Sequence, residues 1–181
     1  MQFSLALPST HSMLTIRPTE IADAAALAAC IEEVARERRF LASTVGFSAD
    51  QIEDFIRFLV GQGGVQLVAL DGARIVGWCD IVPGQLEGMT HAGHLGMGLL
   101  GAYRGQGAGR ALLTQALARA FAGKFERIDL DVFDNNLQAI KLYRAAGFRE
   151  EGRKRRARKL DGVWTDVLVY GMLREEWGGG D

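Results

Sequence analysis

The glycine-rich stretch Arg104-Gly105-Gln106-Gly107-Ala108-Gly109-Arg110 is the most informative part of this 181-residue chain. A predicted strand, His91 to Leu100, precedes it, and an amphipathic helix that begins near Ala111 follows it. Glycine lets the backbone approach a ligand closely and adopt a positive φ. The first N–H groups of a helix have no partner within the helix and carry the positive end of its dipole. The stretch therefore predicts an anion site suited to a pyrophosphate, to which Arg104 and Arg110 add positive charge.

Two other phosphate-binding patterns do not fit this stretch. The Walker pattern G-x-x-x-x-G-K-[ST] is absent, and the dinucleotide pattern G-x-G-x-x-G fails because the glycines fall at 105, 107 and 109. The remaining alternative is a glycine-rich connector that binds nothing.

The periodicity on either side of the turn predicts an alternation of strands and helices. Strong turn signals at Asp71-Gly72 and Asp161-Gly162 predict two hairpins. The predicted helices cover Ile21–Phe40, Ala49–Gln62, the segment after the glycine-rich turn and residues 135–148; the strands include Met13–Arg17, Val65–Leu70, 73–84, His91–Leu100 and Arg127–Phe133. This order, βαα-ββ-βαβα-ββ, predicts a single mixed α/β (α+β) domain with a largely antiparallel sheet.

Length and composition are those of one ordinary globular domain. Hydrophobic residues make up 48% and charged residues 24% of the chain, which argues against disorder. The net charge of −1 argues against a globally basic nucleic-acid binder. The charge is uneven, however: residues 1–100 hold 6 basic and 11 acidic side chains, and residues 101–181 hold 15 and 11. A phosphate-rich ligand would favour the second half, and a cationic one the first.

Two cysteines, Cys30 and Cys79, are too few for a disulfide framework or a zinc site, and their apolar neighbours predict buried thiols. The chain contains no run of 18 apolar residues, so no membrane span is predicted. Its first residues lack the basic segment with which a signal peptide begins. We therefore expect a cytoplasmic protein with no membrane or nucleic-acid partner and no metal. A homodimer is left open. Residues 1–12 are expected to form a flexible lead, 13–174 the domain, and 175–181 a flexible tail.

The glycine-rich turn resembles the [QR]-x-x-G-x-[GA] loop of the GNAT superfamily of N-acetyltransferases, with Arg104, Gly107 and Gly109 at its defined positions. A second segment, Asn136-x-x-Ala139-x-x-Leu142-Tyr143-x-x-x-Gly147-Phe148, is similar to the same superfamily. The resemblance implies the GNAT fold: a mixed, mostly antiparallel sheet of about seven strands, splayed between the fourth and fifth strands and flanked by about four helices. The closing hairpin is similar to that of small bacterial enzymes that acetylate amino acids or related amines.

The resemblance also implies where acetyl-CoA, the cosubstrate, would bind. Backbone groups of Met97, Gly98 and Leu99 would bind the pantetheine arm and polarise the thioester carbonyl. The pyrophosphate would be held by the amides of the turn, which are those of Gly105, Gln106, Gly107, Ala108, Gly109 and Arg110. The side chain of Asn136 would bind the pantetheine arm from the second motif.

Tyr143 matches the general acid of the family. A phenol has an ordinary pKa of about 10, above that of a thiol at about 8.5, so it can donate to a departing sulfur without being ionised itself. Tyr143 lies seven residues after Asn136, which is two helical turns, so both side chains lie on one face of the helix. The alternative is a tyrosine that only packs its ring.

The general base is left open between His94, Asp131 and a chain of water molecules. His94 lies where relatives often carry a carboxylate, and Asp131 lies where some carry a catalytic one. His94 is favoured because its ordinary pKa of about 6.5 is nearer the working pH than that of a carboxylate. The alternative role of His94 is a half-buried strand histidine bonded to a neighbour, and that of Asp131 is a salt-bridged carboxylate.

The run from Arg153 to Lys159 holds six basic residues in seven. Alternation along a strand would place them on both faces, which predicts a solvated hairpin. The functional alternatives are a contact with the ribose phosphate of CoA or with an acidic substrate, and nucleic-acid binding is disfavoured because no aromatic residues are interleaved. The function implied is an acetyl-CoA-dependent N-acetyltransferase acting on the primary amine of a small molecule. The alternatives are a CoA-binding sensor without catalysis and a protein N-acetyltransferase, which would need an open peptide groove.

Overall fold

A computed structural model describes residues 14–179. Seven strands and four helices follow one another in the order predicted: β1 (Thr15–Pro18), α1 (Ala24–Arg36), α2 (Ala49–Gly61), β2 (Val65–Asp71), β3 (Arg74–Pro83), β4 (Ala92–Leu99), α3 (Ala108–Ala122), β5 (Arg127–Phe133), α4 (Leu137–Ala146), β6 (Arg149–Leu160) and β7 (Val163–Leu173). The expected lead, residues 1–12, lies outside the described residues.

One seven-stranded sheet organises the molecule, with the strand order β1-β2-β3-β4-β5-β7-β6. Every neighbouring pair is antiparallel except β4 and β5, which are parallel and are joined through α3. This confirms the expected mixed, mostly antiparallel sheet. The order places the two parallel strands side by side at the centre, where α3 can begin directly beyond the end of β4.

The β4–β5 ladder is short, and this creates the splay. Pairing joins Ala92 to Arg127, Gly93 to Ile128 and His94 to Asp129. On its other edge, β4 pairs with β3 as far as Leu99. The second half of β4 is therefore held by β3 alone, and its free edge faces a gap beside β5.

The core is one contiguous apolar cluster between the sheet and the helices. It draws on α1, α2, β2 to β5, α3, α4 and β7, and its fully buried side chains include Leu27, Leu112, Leu117, Ile128 and Tyr170. Cys30 and Cys79 are buried free thiols, as predicted. Burial raises the pKa of both thiols, which keeps them protonated.

The edge strand β6 carries the basic run and is exposed along most of its length. This confirms the predicted solvated hairpin. Two irregularities interrupt its pairing with β7, and Arg156 lies in the left-handed region with a φ of 53°. Charges and bulges of this kind discourage an edge strand from pairing with another chain.

Beyond β7, residues Arg174–Glu176 form a single 3-10 turn. The ring of Trp177 then lies 6.2 Å from that of Phe121 on α3. The boundaries expected for the lead, the domain and the tail stay predictions.

Candidate active site

A cleft of about 670 Å³ opens at the splay between β4 and β5. Twelve of the fourteen predicted site residues line it: His94, Met97, Gly98, Leu99, Arg104, Gly105, Gly107, Gly109, Arg110, Asp131, Asn136 and Tyr143. Gln106 and Ala108 belong to the same turn but do not border the cleft. The exposed Gln106 amide donates to the carbonyl of Ala102 at 2.7 Å, and Ala108 is buried.

The glycine-rich turn gives α3 an uncapped N-terminus. Gly107 is the N-cap residue, with a φ of 87°, and no side chain caps the helix there. The first bond within α3 runs from the Ala111 amide to the Gly107 carbonyl. By contrast, Ser48 caps α2 and Asn136 caps α4 with their side chains. The amides of the first turn of α3 are thus left for a ligand, and their positive dipole end favours an anion.

Space at the turn fits a phosphate group. A Cβ atom built at Gly107 would have no protein atom within 4 Å, and Gly105 also has a positive φ, 73°. The glycines therefore leave an open cradle beside the helix N-terminus, and Arg110 stands exposed at the mouth of the cleft. Gly109 differs, because a Cβ there would lie 3.2 Å from Leu99.

Arg104 has a structural partner within the protein. Its guanidinium forms two hydrogen bonds with the Glu37 carboxylate, at 2.7 and 2.6 Å, and two more with the carbonyl of Leu99. It also stacks over the ring of Phe40 at 4.6 Å. These hydrogen bonds attach the turn to the end of β4 and to the segment after α1. Sequence analysis did not find Glu37, whose partner is distant in the chain.

Register assigns the site side chains to opposite faces of the sheet. Directly paired residues share a face, and so do alternate residues of one strand. Asp80 pairs with Gly96, and His94 pairs with Asp129, so Asp80, His94, Asp129 and Asp131 lie on one face. Phe133, further along β5, joins them. We call this the acidic face.

The glycine-rich turn meets the opposite face. The Cβ position of Gly109 lies close to Leu99 and Met97, which point away from the acidic face. Tyr143 belongs to this side as well, since its hydroxyl lies near Cys79, and Cys79 pairs with Met97. The cleft therefore passes through the splay and joins the two faces.

Tyr143 is buried at 6% exposure, and its ring packs edge-on against Phe148 at 5.9 Å. Burial raises the pKa of its hydroxyl, and the nearby Cys79 adds to that rise. No described residue forms a hydrogen bond with this hydroxyl. Tyr143 is thus a neutral phenol at the cleft with its donor unused, which suits a proton donor.

His94 is exposed on the acidic face, and its Nδ1 lies 2.6 Å from Oδ1 of Asp129. Three nearby carboxylates raise the pKa of His94 against the effect of its partial burial, and the hydrogen bond with Asp129 contributes most. A carboxylate bonded to Nδ1 holds the proton there and leaves Nε2 as the acceptor. The geometry therefore suits a histidine that accepts a proton.

Asp131 has a cationic partner on the neighbouring hairpin. Its carboxylate accepts a hydrogen bond from Lys154 at 2.6 Å, which is the salt-bridged alternative that sequence analysis left open. Asp131 and His94 both border the cleft, but the carboxylate bonded to His94 is that of Asp129.

Asp80 is a residue that sequence analysis missed. It is half-buried on β3, and a Cβ built at Gly96 would lie 3.1 Å from its Oδ1. Burial raises the pKa of Asp80 to about 7, although nearby His94 opposes the rise. The available signal was a single acidic residue inside the apolar strand sequence VGWCDIV.

The raised pKa of Asp80 predicts how stability depends on pH. Between about pH 4, its ordinary pKa, and pH 7, the folded protein keeps a proton that the unfolded chain has lost. Asp80 should therefore lower the free energy of unfolding as the pH rises through this range. We expect Asp80→Asn to be more stabilising at pH 8 than at pH 5, by about 2 kcal/mol, measured by urea unfolding. Asp131→Asn is the matched control on the same face. Identical pH trends in wild type and Asp80→Asn would contradict the prediction.

Among residues 14–179, no group of three or more His, Cys, Asp or Glu side chains is arranged to hold a metal ion. Across the same part of the chain, no helix is long and apolar enough to cross a membrane.

Comparison with known proteins gives a family match and similar structures. Residues 27–148 match the model of the acetyltransferase (GNAT) family. A crystal structure of a GNAT-family acetyltransferase from Streptococcus pneumoniae is 30% identical, with a TM-score of 0.83, over 89% of this chain and 99% of that one. A phosphinothricin acetyltransferase from Sinorhizobium meliloti, crystallised with AcCoA, is 21% identical with a TM-score of 0.83, over 88% of each chain.

Among curated proteins, the L-amino acid N-acetyltransferase AaaT of Escherichia coli K12 is 28% identical over 110 residues, which are 60% of this chain and 68% of that protein. Three further curated relatives are matched over 17%, 43% and 51% of their own lengths. This chain thus spans about half or less of those three relatives.

Proposed function

This chain belongs to the acetyltransferase (GNAT) family, and on that premise we propose that it transfers an acetyl group from acetyl-CoA to the primary amine of a small molecule, an amino acid or a related amine. The observation that carries the proposal is the cleft through the splay. It joins an uncapped helix N-terminus and a free phenol on one face to a histidine–carboxylate pair on the other.

Acetyl-CoA supplies the activated acetyl group, as a thioester. We propose that the first-turn amides of α3 and the open cradle at Gly107 hold its pyrophosphate, with Arg110 adding charge. The free edge of β4 from Met97 to Leu99 would hold the pantetheine arm. The side-chain oxygen of Asn136, Oδ1, already caps α4 by accepting a hydrogen bond from the Ala139 amide at 3.2 Å. Its side-chain NH₂ would therefore be the group offered to the arm.

On the acidic face, His94 accepts a proton from the acceptor ammonium, and Asp129 keeps the imidazole in the required tautomer. The freed amine forms a bond to the acetyl carbon as the carbon–sulfur bond breaks. On the opposite face, Tyr143 donates its proton to the departing sulfur. The new amide nitrogen then loses its surplus proton, which passes through solvent to restore the Tyr143 hydroxyl. A proton is thus accepted on one side of the sheet and given on the other, so neither residue competes for the other's partner.

The chain segment that covers the acidic face supports the proposal that the acceptor is a small molecule. Phe40, Leu41 and Ala42, from the segment between α1 and α2, line the cleft. Arg38 ties this segment to the β6–β7 turn through two hydrogen bonds with Asp161, at 2.8 and 3.0 Å. A segment fastened in this way narrows the entrance that a peptide would need. A cytoplasmic location remains part of the proposal.

The proposal is tested by incubating the protein with acetyl-CoA and a panel of amines while following the release of free thiol. Amino acids, polyamines and a peptide N-terminus should be compared. Release that depends on a small amine supports the proposal. Tight acetyl-CoA binding without release for any amine would favour a sensor, and release with the peptide alone would favour a protein acetyltransferase.

The pH profile should identify the proton acceptor. Because the pKa of His94 is raised, the acidic limb of kcat/KM should lie above the ordinary histidine value of about 6.5. Asp129→Asn should move that limb to lower pH, and His94→Ala should remove it or lower activity throughout. If Asp131 is the base, the limb responds to Asp131→Asn instead. Acceptor amines of different pKa serve as the control. If the acidic limb shifts with the pKa of the amine but with none of the substitutions, both residues are excluded as titrating bases.

A further inference from the structure

We propose that Arg158 forms a binding site for the carboxylate of the acceptor, so that the acceptor is an amino acid rather than a simple amine. This inference rests on the proposed function and names the substrate class of the same cleft. It starts from a half-buried guanidinium beside the acidic face that the reaction described above does not use.

Register places Arg158 on the acidic face. It pairs with Thr165 on β7, and Val167, two residues further along, pairs with Phe133 on β5. Its guanidinium carbon lies 4.7 Å from the centre of the Phe133 ring. Phe133 borders the cleft, so the guanidinium of Arg158 lies directly beside a residue of the cleft wall.

The charge of Arg158 is not neutralised by a side chain. Its one hydrogen bond goes to the backbone carbonyl of Arg38, at 3.0 Å, and within residues 14–179 it forms no ion pair. Two carboxylates on neighbouring segments are engaged elsewhere, because Asp131 binds Lys154 and Asp161 binds Arg38. A guanidinium has five N–H donors, so most of those of Arg158 are left for a ligand.

Its surroundings hold the guanidinium in place. The ring of Phe133 packs against the guanidinium, and one of its N–H groups donates to the Arg38 carbonyl. A planar, pre-oriented guanidinium is suited to two parallel hydrogen bonds with a carboxylate. The same basic strand offers no equivalent: Lys154 and Arg153 are paired with acids, and Arg156 and Lys159 lie over the exposed ring of Trp164.

The acidic face therefore presents opposite charges to one ligand. The His94–Asp129 pair suits an ammonium group, and Arg158 suits an anion. Asp131 lies between Asp129 and Phe133 along β5, so the position suited to the ammonium and the position suited to the carboxylate follow one another along this strand. A zwitterion with an amine and a carboxylate matches this pattern, whereas a polyamine would place a second cation against Arg158.

The test compares amino acids with their carboxamides, which keep the amine and lose the negative charge. A charged hydrogen-bond pair is worth about 1.5–3 kcal/mol, or roughly 10- to 100-fold. We expect kcat/KM of the wild type to favour the amino acid at least tenfold. Arg158→Met should lower this ratio at least tenfold, and Arg158→Lys should restore part of it. Comparing the ratio between variants cancels the different basicity of the two amines.

Arg155→Met is the matched control, since it removes an equal charge from an exposed position on the same strand and should leave the ratio unchanged. Calorimetry with CoA present gives a second readout, in which Arg158→Met weakens binding of the amino acid and not of the amide. Thermal unfolding checks that each variant is folded.

The outcomes separate the two proposals. Equal losses for amino acid and amide in Arg158→Met would make Arg158 a part of the wall and would overturn the carboxylate site. A wild-type protein that prefers amides or polyamines to amino acids would also overturn the carboxylate site. If acetyl-CoA binds but no amine of any class is acetylated, the proposed function itself fails.

Discussion

Replacing Tyr143 with phenylalanine is expected to lower kcat about 100-fold or more while acetyl-CoA binds nearly as before. The ring packs against Phe148 and is buried, so phenylalanine fills the same space. The hydroxyl forms no hydrogen bond within residues 14–179, and its loss should therefore cost little stability. What is lost is the donor to the leaving sulfur, and a positioned acid contributes about 100- to 10,000-fold.

Tyr170→Phe is the matched control for this change. Its ring is fully buried, but its hydroxyl lies outside the cleft, between Arg144 and Glu150. It should affect the free energy of unfolding and leave kcat nearly unchanged. Steady-state rates with saturating acetyl-CoA make the comparison. An unchanged kcat in Tyr143→Phe would assign Tyr143 to packing, or show that protonation of sulfur does not limit the rate.

The second large effect is expected at the glycine-rich turn, where Gly107→Val should raise the Kd for acetyl-CoA at least 100-fold. Gly107 has a φ of 87° and no protein atom within 4 Å of its Cβ position. A side chain there would project into open cleft, beside the free amides of α3. It would therefore collide with the ligand rather than with the protein. Isothermal titration calorimetry measures the loss.

Backbone strain must be separated from this steric effect. A residue other than glycine at positive φ costs about 1–2 kcal/mol. Gly72→Val carries a comparable strain in the turn between β2 and β3, where a Cβ also has open space, and should leave binding intact. Gly109→Val is a poorer test, because its Cβ would press on Leu99 at 3.2 Å and Leu142 at 3.5 Å. Unchanged binding in a folded Gly107→Val would refute the role of the turn.

Features that depend on short stretches of sequence were predictable. The bounds of β5 agree with the sequence prediction, and the Asp71-Gly72 and Asp161-Gly162 turns join the hairpins expected of them. The uncapped start of α3 follows from glycine at the N-cap position, and the two motifs place most of the predicted site residues around one cleft. In each case the deciding interactions are local, or the family resemblance supplies the long-range part.

Interactions between distant residues were not predictable in the same way. The first helix was expected to reach Phe40, but α1 ends at Arg36. Arg38 then adopts a φ of 58°, which a helix cannot contain. Glu37 and Arg38 instead form side-chain hydrogen bonds with Arg104 and Asp161, which lie 67 and 123 residues further along the chain. No local pattern reveals such pairs.

The carboxylate that accompanies His94 illustrates the same limit. Asp129 and Asp131 alternate on one face of β5, so the sequence alone does not tell which of them meets His94. The parallel register decides it, by pairing His94 with Asp129. Asp80 was not predicted for a related reason. Its raised pKa comes from burial next to His94, and burial depends on how the sheet is assembled.

The division of the cleft between two faces of one sheet has an evolutionary consequence. On the proposed function, β4 residues that would contact the donor alternate with residues that would face the acceptor. A substitution at one position would then change the surroundings of one substrate and leave those of the other in place. The acceptor side draws on the α1–α2 segment and the β6–β7 hairpin, both of which are peripheral. If the proposed function holds, selection can exchange the amine that is recognised while the residues proposed to bind acetyl-CoA stay the same.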